Sequence, residues 1–229
     1  MKLLEIAKAV ADETTAPCPE SFNHLQLTPE ATGLLRAINK AGSFVTRTLD
    51  LNSNLKDHTV TPESNYPTIL RENLPKNFLR FKEETFRDAA DGFYTGPLNY
   101  SDFLKIKQNE GTKIFSLLAN GVYVYPKPSH DLSFAYFHDG WAKGTRRIGS
   151  KDQIIEISEM KKDEDETIVD SALVISFAKY FSLVSMGVEA VNASNEIKYL
   201  KKHLLLTEEK ERSPFYKYPM RPQRYIYGL

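Results

Sequence analysis

The sequence predicts an α+β protein: a helical bundle of N- and C-terminal helices, a small antiparallel β domain inserted between them, and an extended C-terminal tail. Three observations predict it. Apolar residues recur at helical spacing at both ends of the chain. From Leu55 the middle breaks into short apolar pieces divided by Pro, Gly and Asn. The last 17 residues carry prolines at 214, 219 and 222, which neither a helix interior nor a central strand accepts. The expected domains are 1–54 with 158–212 (helical), 55–157 (β-rich) and 213–229 (tail).

In chain order, Leu3, Ile6, Ala7, Val10 and Ala11 share one helical face, and Pro17 and Pro19 end that helix. Thr28-Pro29-Glu30 reads as a helix start, with Thr as N-cap, Pro at the first position and an acid in the first turn. Leu34, Ile38, Ala41, Val45 and Leu49 then define a second helix to about Leu49. Prolines at 62, 67 and 75 punctuate the β region. Ser101-Asp102 is expected to cap a brief helix. Asn120-Gly121 between apolar runs signals a hairpin, and Pro126 stops its second strand. Residues 148–160 read as a polar stretch with a brief apolar centre. From Ile168 a segment apolar nearly all round begins, whose only charge between Ser171 and Val188 is Lys179. A single helix from Ile168 to Leu206 would be about 58 Å long at about 1.5 Å per residue, so a bend is expected near Gly187 or Asn192–Asn195. The helix needs apolar partners on several sides. The expected packing residues are Leu173, Phe177 and Phe181, against the chain's own domain and a neighbouring subunit.

The 229 residues suffice for one sizeable core or two small ones. Lys plus Arg equals Asp plus Glu at 30 each, which excludes a global basic field of the kind that gathers nucleic acid. The single cysteine, Cys18, excludes an internal disulfide and any cysteine-built metal cluster. The opening MKLLEIAKAVADE carries acids and no small-residue cleavage site, so it reads as no secretory signal.

No motif specifies a reaction. The five histidines form neither HExxH nor a nucleophile elbow. His130-Asp131 and His138-Asp139 flank a predicted strand, so their ends should point apart; a small enzyme or metal-binding protein using the His130/His138 region is the alternative class. A membrane span through 171–188 is a further one, near the lower length limit. The acidic run Asp163, Glu164, Asp165, Glu166 has no calcium-loop spacing. It is expected to face solvent, as charge at a helix start or on a channel wall. No catalytic residue, cofactor or metal ligand is assigned.

Three stretches together carry a resemblance: TPEATGLLRAINKAGSFVTRTLDL after the opening helix; LPKNFLRFKEETF with GPLNYSDFLKIK; and NGVYVYPKPSHDLSFAYFHDGW. In this order they resemble the head-to-tail adaptor (connector) proteins of short-tailed phages, the tail tubular protein A type. Their L-P-x-x-F-x-R, P-L-x-x-x-x-F/W and G-x-x-x-x-P-x-P patterns match, as does a long helix after an acidic start. The resemblance implies a virion protein at the head–tail junction, made in the host cytoplasm, with no catalysis. Its implied partners are the portal protein, the tail nozzle protein and further copies of itself in a ring of about twelve, with double-stranded DNA passing through without sequence recognition. The segment after Trp141 and the aromatic tail are longer than the family pattern. Phe215, Tyr216, Tyr218, Tyr225 and Tyr227 offer rigid apolar area, and Lys217, Arg221 and Arg224 offer charge. The tail spans at most about 56–61 Å when extended, enough to strap onto the portal or a neighbouring subunit.

Overall fold

The computed structural model describes residues 1–23, 27–88, 90, 92–107 and 111–211, with backbone only over 203–211. The chain is mixed α+β. Its α-helices among the described residues are α1 (Leu3–Thr14), α2 (Pro29–Thr48), α3 (Tyr100–Ile106), α4 (Ser171–Ser185) and α5 (Val191–Glu211). The strands are β1 (Leu55–Val60), β2 (Ile69–Leu70), β3 (Phe78–Phe81), β4 (Arg87–Asp88), β5 (Gly92–Phe93), β6 (Thr95–Leu98), β7 (Ile114–Leu118), β8 (Gly121–Tyr125), β9 (Leu132–His138), β10 (Ala142–Ile148), β11 (Lys151–Ile157) and β12 (Glu166–Thr167).

The local signals act as expected at the helix starts. Thr28 Oγ1 accepts from the Ala31 N–H at 3.2 Å, with Pro29 at the first helical position. The third helix is capped two residues earlier than Ser101, by Asn99, whose Oδ1 accepts from the Asp102 N–H at 2.9 Å. Asp170, not the acidic run, caps α4, accepting from the Leu173 N–H at 2.9 Å. The long apolar segment breaks between α4 and α5 at Gly187, whose φ of 71° suits glycine and penalises a side chain.

Two cores result. In the first, Leu3, Ile6 and Val10 of α1 meet Leu34, Ile38, Ala41 and Val45 of α2, Leu173, Val174, Phe177 and Ala178 of α4, and Ile197 of α5. Because α1, α2 and α5 all pack on α4, its all-round apolar character is met largely inside one chain. Lys179, buried in that contact, reaches Glu13 of α1 at 2.6 Å and Glu196 of α5 at 3.5 Å. The second core is aromatic: Phe86 stacks on Phe115 at 4.3 Å and on Phe134 at 5.5 Å, with Phe81 edge-on to all three.

Three sheets frame these cores. β9 is central to one, pairing with β1 on one side and with β3 and β4 on the other. The second runs β2-β8-β7-β6, with the Asn120-Gly121 hairpin where predicted and one parallel pair, β6–β7. The third, β11-β10-β12, corrects the expected boundary at 157. Trp141 and Ala142 lie in the helical core, and the residues read as a polar stretch form the long β10–β11 hairpin. The cores therefore part near Gly140.

Arg80 of β3 ties the two halves together. Its guanidinium donates to the carbonyls of Thr46, Arg47 and Leu49 at the end of α2 (3.1–3.3 Å), pairs with Asp50 at 2.5 Å and lies 4.4 Å over the Phe137 ring. A cation there satisfies orphan carbonyls and complements the helix dipole. Arg80→Met should lower stability by about 1–3 kcal/mol, read as a urea-midpoint shift. Arg80→Lys should rescue little, because an ammonium cannot reproduce the fork of donors.

Candidate interaction surfaces

The acidic run does not form an exposed acidic face. Asp165 is 1% exposed. Its carboxylate takes a two-point bond from Arg146 of β10, both contacts at 2.7 Å, and accepts the N–H groups of Lys161 (2.7 Å) and Lys162 (3.0 Å). Its own carbonyl accepts from the Leu3 N–H at 2.8 Å. Burial works to raise the Asp165 pKa. The Arg146 hydrogen bonds and the two backbone N–H groups outweigh it and hold the carboxyl below its usual value.

The neighbouring acids are also engaged. Asp163 accepts from Ser21 Oγ at 2.5 Å and the Phe22 N–H at 2.7 Å, fixing the segment after α1. Glu166 pairs with Lys143 at 3.0 Å, and the Lys143 hydrogen bond lowers its pKa. Glu164 is exposed and accepts from Asn23 Nδ2 at 3.2 Å. The expectation that all four face solvent or a channel is corrected for Asp165, which anchors the fold. Glu164 and the Glu166 side chain, 40% exposed, face solvent as expected.

The structure does not bring His130 and His138 together. His130 lies just before β9 and His138 ends it, and the strand between them spans about 20 Å at about 3.4 Å per residue. His130 Nδ1 lies 2.8 Å from Ser129 Oγ and 3.5 Å from Asp88 Oδ1. Both contacts fall on the same ring nitrogen, whereas a nucleophile–base–acid relay needs them on opposite ones. His138 is fully buried; its Nδ1 accepts from the Gly140 N–H at 3.2 Å and lies 3.6 Å from Glu156. Burial pushes its pKa down, with Glu156 acting in the other direction. Among the described residues no three His, Cys, Asp or Glu side chains converge on a metal-sized site. A cleft of about 130 Å³ is lined by Ser64, Asn65, Tyr66, Thr68 and Lys127, and a more open one of about 510 Å³ by Phe22, Asn23, Lys161, Lys162 and Glu164. No helix among the described residues is long and apolar enough to cross a membrane.

The expected subunit-packing residues divide. Leu173 is wholly inside the chain's own core and has no surface left for a second subunit. Phe177 is 5% exposed, its ring tilted against that of Phe44 with centroids 4.9 Å apart. Phe181 is half-buried, under Lys40 at 4.3 Å. The docking residues Phe215, Tyr216, Lys217, Tyr218, Arg221, Arg224, Tyr225 and Tyr227 lie outside the described residues.

Three exposed apolar surfaces went unnoticed in the sequence. Val184, Met186, Val188 and Val191 surround the α4–α5 elbow. Ile148 and Ile154 stand out from the β10–β11 hairpin. On the β2-β8-β7-β6 sheet, Tyr66 stacks on Tyr123 at 5.8 Å, Tyr100 meets Tyr123 edge-on, and the Lys107 ammonium lies 5.2 Å over Tyr66. Exposed apolar and aromatic patches of this kind are a common feature of protein interaction sites. No protein-family profile matches the chain, and no curated protein matches it.

Proposed function

We propose that this chain is a structural virion protein without catalytic activity: a head-to-tail adaptor forming a ring that joins portal to tail nozzle and continues the DNA channel. The observation that carries this reading is the ordered run of sequence motifs. The structure gives those motif residues framework roles: Phe78 and Phe103 are buried, Arg80 closes the end of α2, and Trp141 fills the helical core. Framework roles support a shared fold, and fold alone does not carry function. The further support is the set of exposed apolar and aromatic surfaces. In this reading the N- and C-terminal helices form a bundle whose exposed side supplies subunit contacts. The β domain meets the nozzle through its tyrosine surface, and the tail straps onto the portal.

Light scattering of the protein alone and with its portal tests the assembly; no complex with portal would refute it. Deleting residues 214–229 should leave a folded, soluble chain that no longer attaches to portal, and normal attachment would show the strap to be wrong.

A further inference from the structure

Positive and negative charges balance over the whole chain, but not on one face of the helical half. From Ala31 to Thr48, α2 carries Arg36, Lys40 and Arg47 and no acid. At about 100° per residue these three lie within about 40° of one another, on the side away from the buried Leu34, Ile38, Ala41 and Val45. All three are exposed, and the row runs about 16 Å along the helix at about 1.5 Å per residue. The acids beyond its ends are Glu30 and Asp50, and Asp50 is already paired with Arg80 at 2.5 Å.

α5 sets a second row beside the first. Ile197 is buried in the core. Counted from Ile197, Lys201, Lys198 and Lys202 lie about 40°, 100° and 140° round the helix in one sense, and Glu196 about 100° round in the other. Contacts fix the direction of each flank. The Lys201 ammonium lies 5.8 Å over the Phe44 ring of α2, so the lysine flank turns toward α2. Glu196 pairs with Lys179, whose ammonium also holds Glu13, so the acid turns toward α1. Between the rows lie the rings of Phe44, 38% exposed, and Phe181, edge to face at 5.9 Å, with the Lys40 ammonium 4.3 Å over Phe181. Cation–π contact thus holds Lys40 and Lys201 at the seam between the helices. Lys198 and Lys202 are exposed, and the two rows together carry six cations and no acid.

We infer that this face binds duplex DNA through its phosphates, without reading the sequence. Four of the six cations are lysines, which protein–protein interfaces are depleted in and which phosphate attracts. The apolar side of α2 is consumed by the core, so the helix has none left to sink into a lipid surface. The α2 row is straight, and its length matches about five phosphates of one strand at about 3.4 Å each along the duplex axis. Cations alone position a duplex and carry no base information. The inference stands on the two rows and needs no ring. In a ring it assigns this face to the DNA and leaves contacts between copies to the other sides of the bundle.

Fluorescence anisotropy of the full chain with a labelled duplex of about 20 bp, from about 50 mM salt upward, tests the inference. The association constant should fall by about 3.5 to 5.5 log units per tenfold rise in salt, the release expected for four to six phosphates at about 0.9 each. Two duplexes of unrelated sequence should bind alike. Arg36→Glu and Lys198→Glu should each weaken binding by about 3- to 10-fold and lower the salt slope by about 1. Arg36→Gln and Lys198→Gln should act in the same direction without a reversed charge, and circular dichroism checks that every variant folds. Lys76→Glu and Lys151→Glu, both exposed and outside the rows, change the net charge equally and should stay within about twofold of wild type. Absence of binding at low salt overturns the inference, as does a strong preference for one sequence. Equal losses in the rows and in the controls would reduce the effect to net charge and overturn it too. Unchanged affinity in the row variants would move the binding to the basic residues after 213, with the same consequence. Portal attachment plays no part in this assay, so a failed DNA face and a failed adaptor reading give different results.

Discussion

Asp165→Ala should destabilise the protein by about 3–5 kcal/mol, because it strands the Arg146 guanidinium in a mostly buried site and frees two backbone N–H groups. The side chain joins β10, the 161–165 loop and, through its backbone, the first turn of α1, so its loss should loosen the whole helical half. Asp165→Asn should fall between wild type and Ala, since it keeps the shape and loses the charge. Replacing both partners, Arg146→Met with Asp165→Leu, should recover much of the loss, as apolar substitutes for buried ion pairs often do. The pH dependence has a definite sign. The folded pKa of Asp165 lies below its unfolded value of about 3.9. Its contribution is therefore fully present above that unfolded value and is lost as pH falls through the folded one. Urea midpoints taken from pH 6 down to pH 2 check this: wild type should lose stability over that window more steeply than Asp165→Asn. Equal slopes would show that Asp165 is not the linked group.

Trp141→Ala should cost about 3–5 kcal/mol. The indole is fully buried in the helical core, and its Nε1 donates to the Ser158 carbonyl at 2.7 Å. It lies directly on α2 at Gly42, where a Cβ would come within 2.1 Å of the ring. That close approach, and not a backbone requirement, explains a glycine in mid-helix. In most helices Gly→Ala gains about 1 kcal/mol. Here Gly42→Ala should instead lose about 1–3 kcal/mol through overpacking. In the Trp141→Ala background the sign should reverse, with Gly42→Ala becoming stabilising. Thermal unfolding of the four proteins in this cycle checks it, and an unchanged sign would disprove the contact.

The sequence by itself determined the elements whose causes are local. The α1 and α2 faces, the Thr28-Pro29 start, the Asn120-Gly121 turn and the break near Gly187 all rest on residues within a few positions of one another. The α+β class followed from them, as did the separation of His130 and His138 by a strand. Tertiary structure alone decided whatever depends on partners far along the chain. Asp165 looked like one solvated acid among four, and became a buried anchor because β10 brings Arg146 across to it. Gly42 looked like a weak point in a helix, and became the floor under an indole 99 residues away. Leu173, expected at a subunit boundary, is consumed by α1 and α2 of its own chain. The β10–β11 hairpin and the α4–α5 elbow show the converse. Isoleucine in a strand and valine beside a helix end look like core residues at the level of pattern, and only the packed chain reveals which of them its own core leaves uncovered. Periodicity records which side of an element is apolar; the long-range packing decides what, if anything, lies against that side.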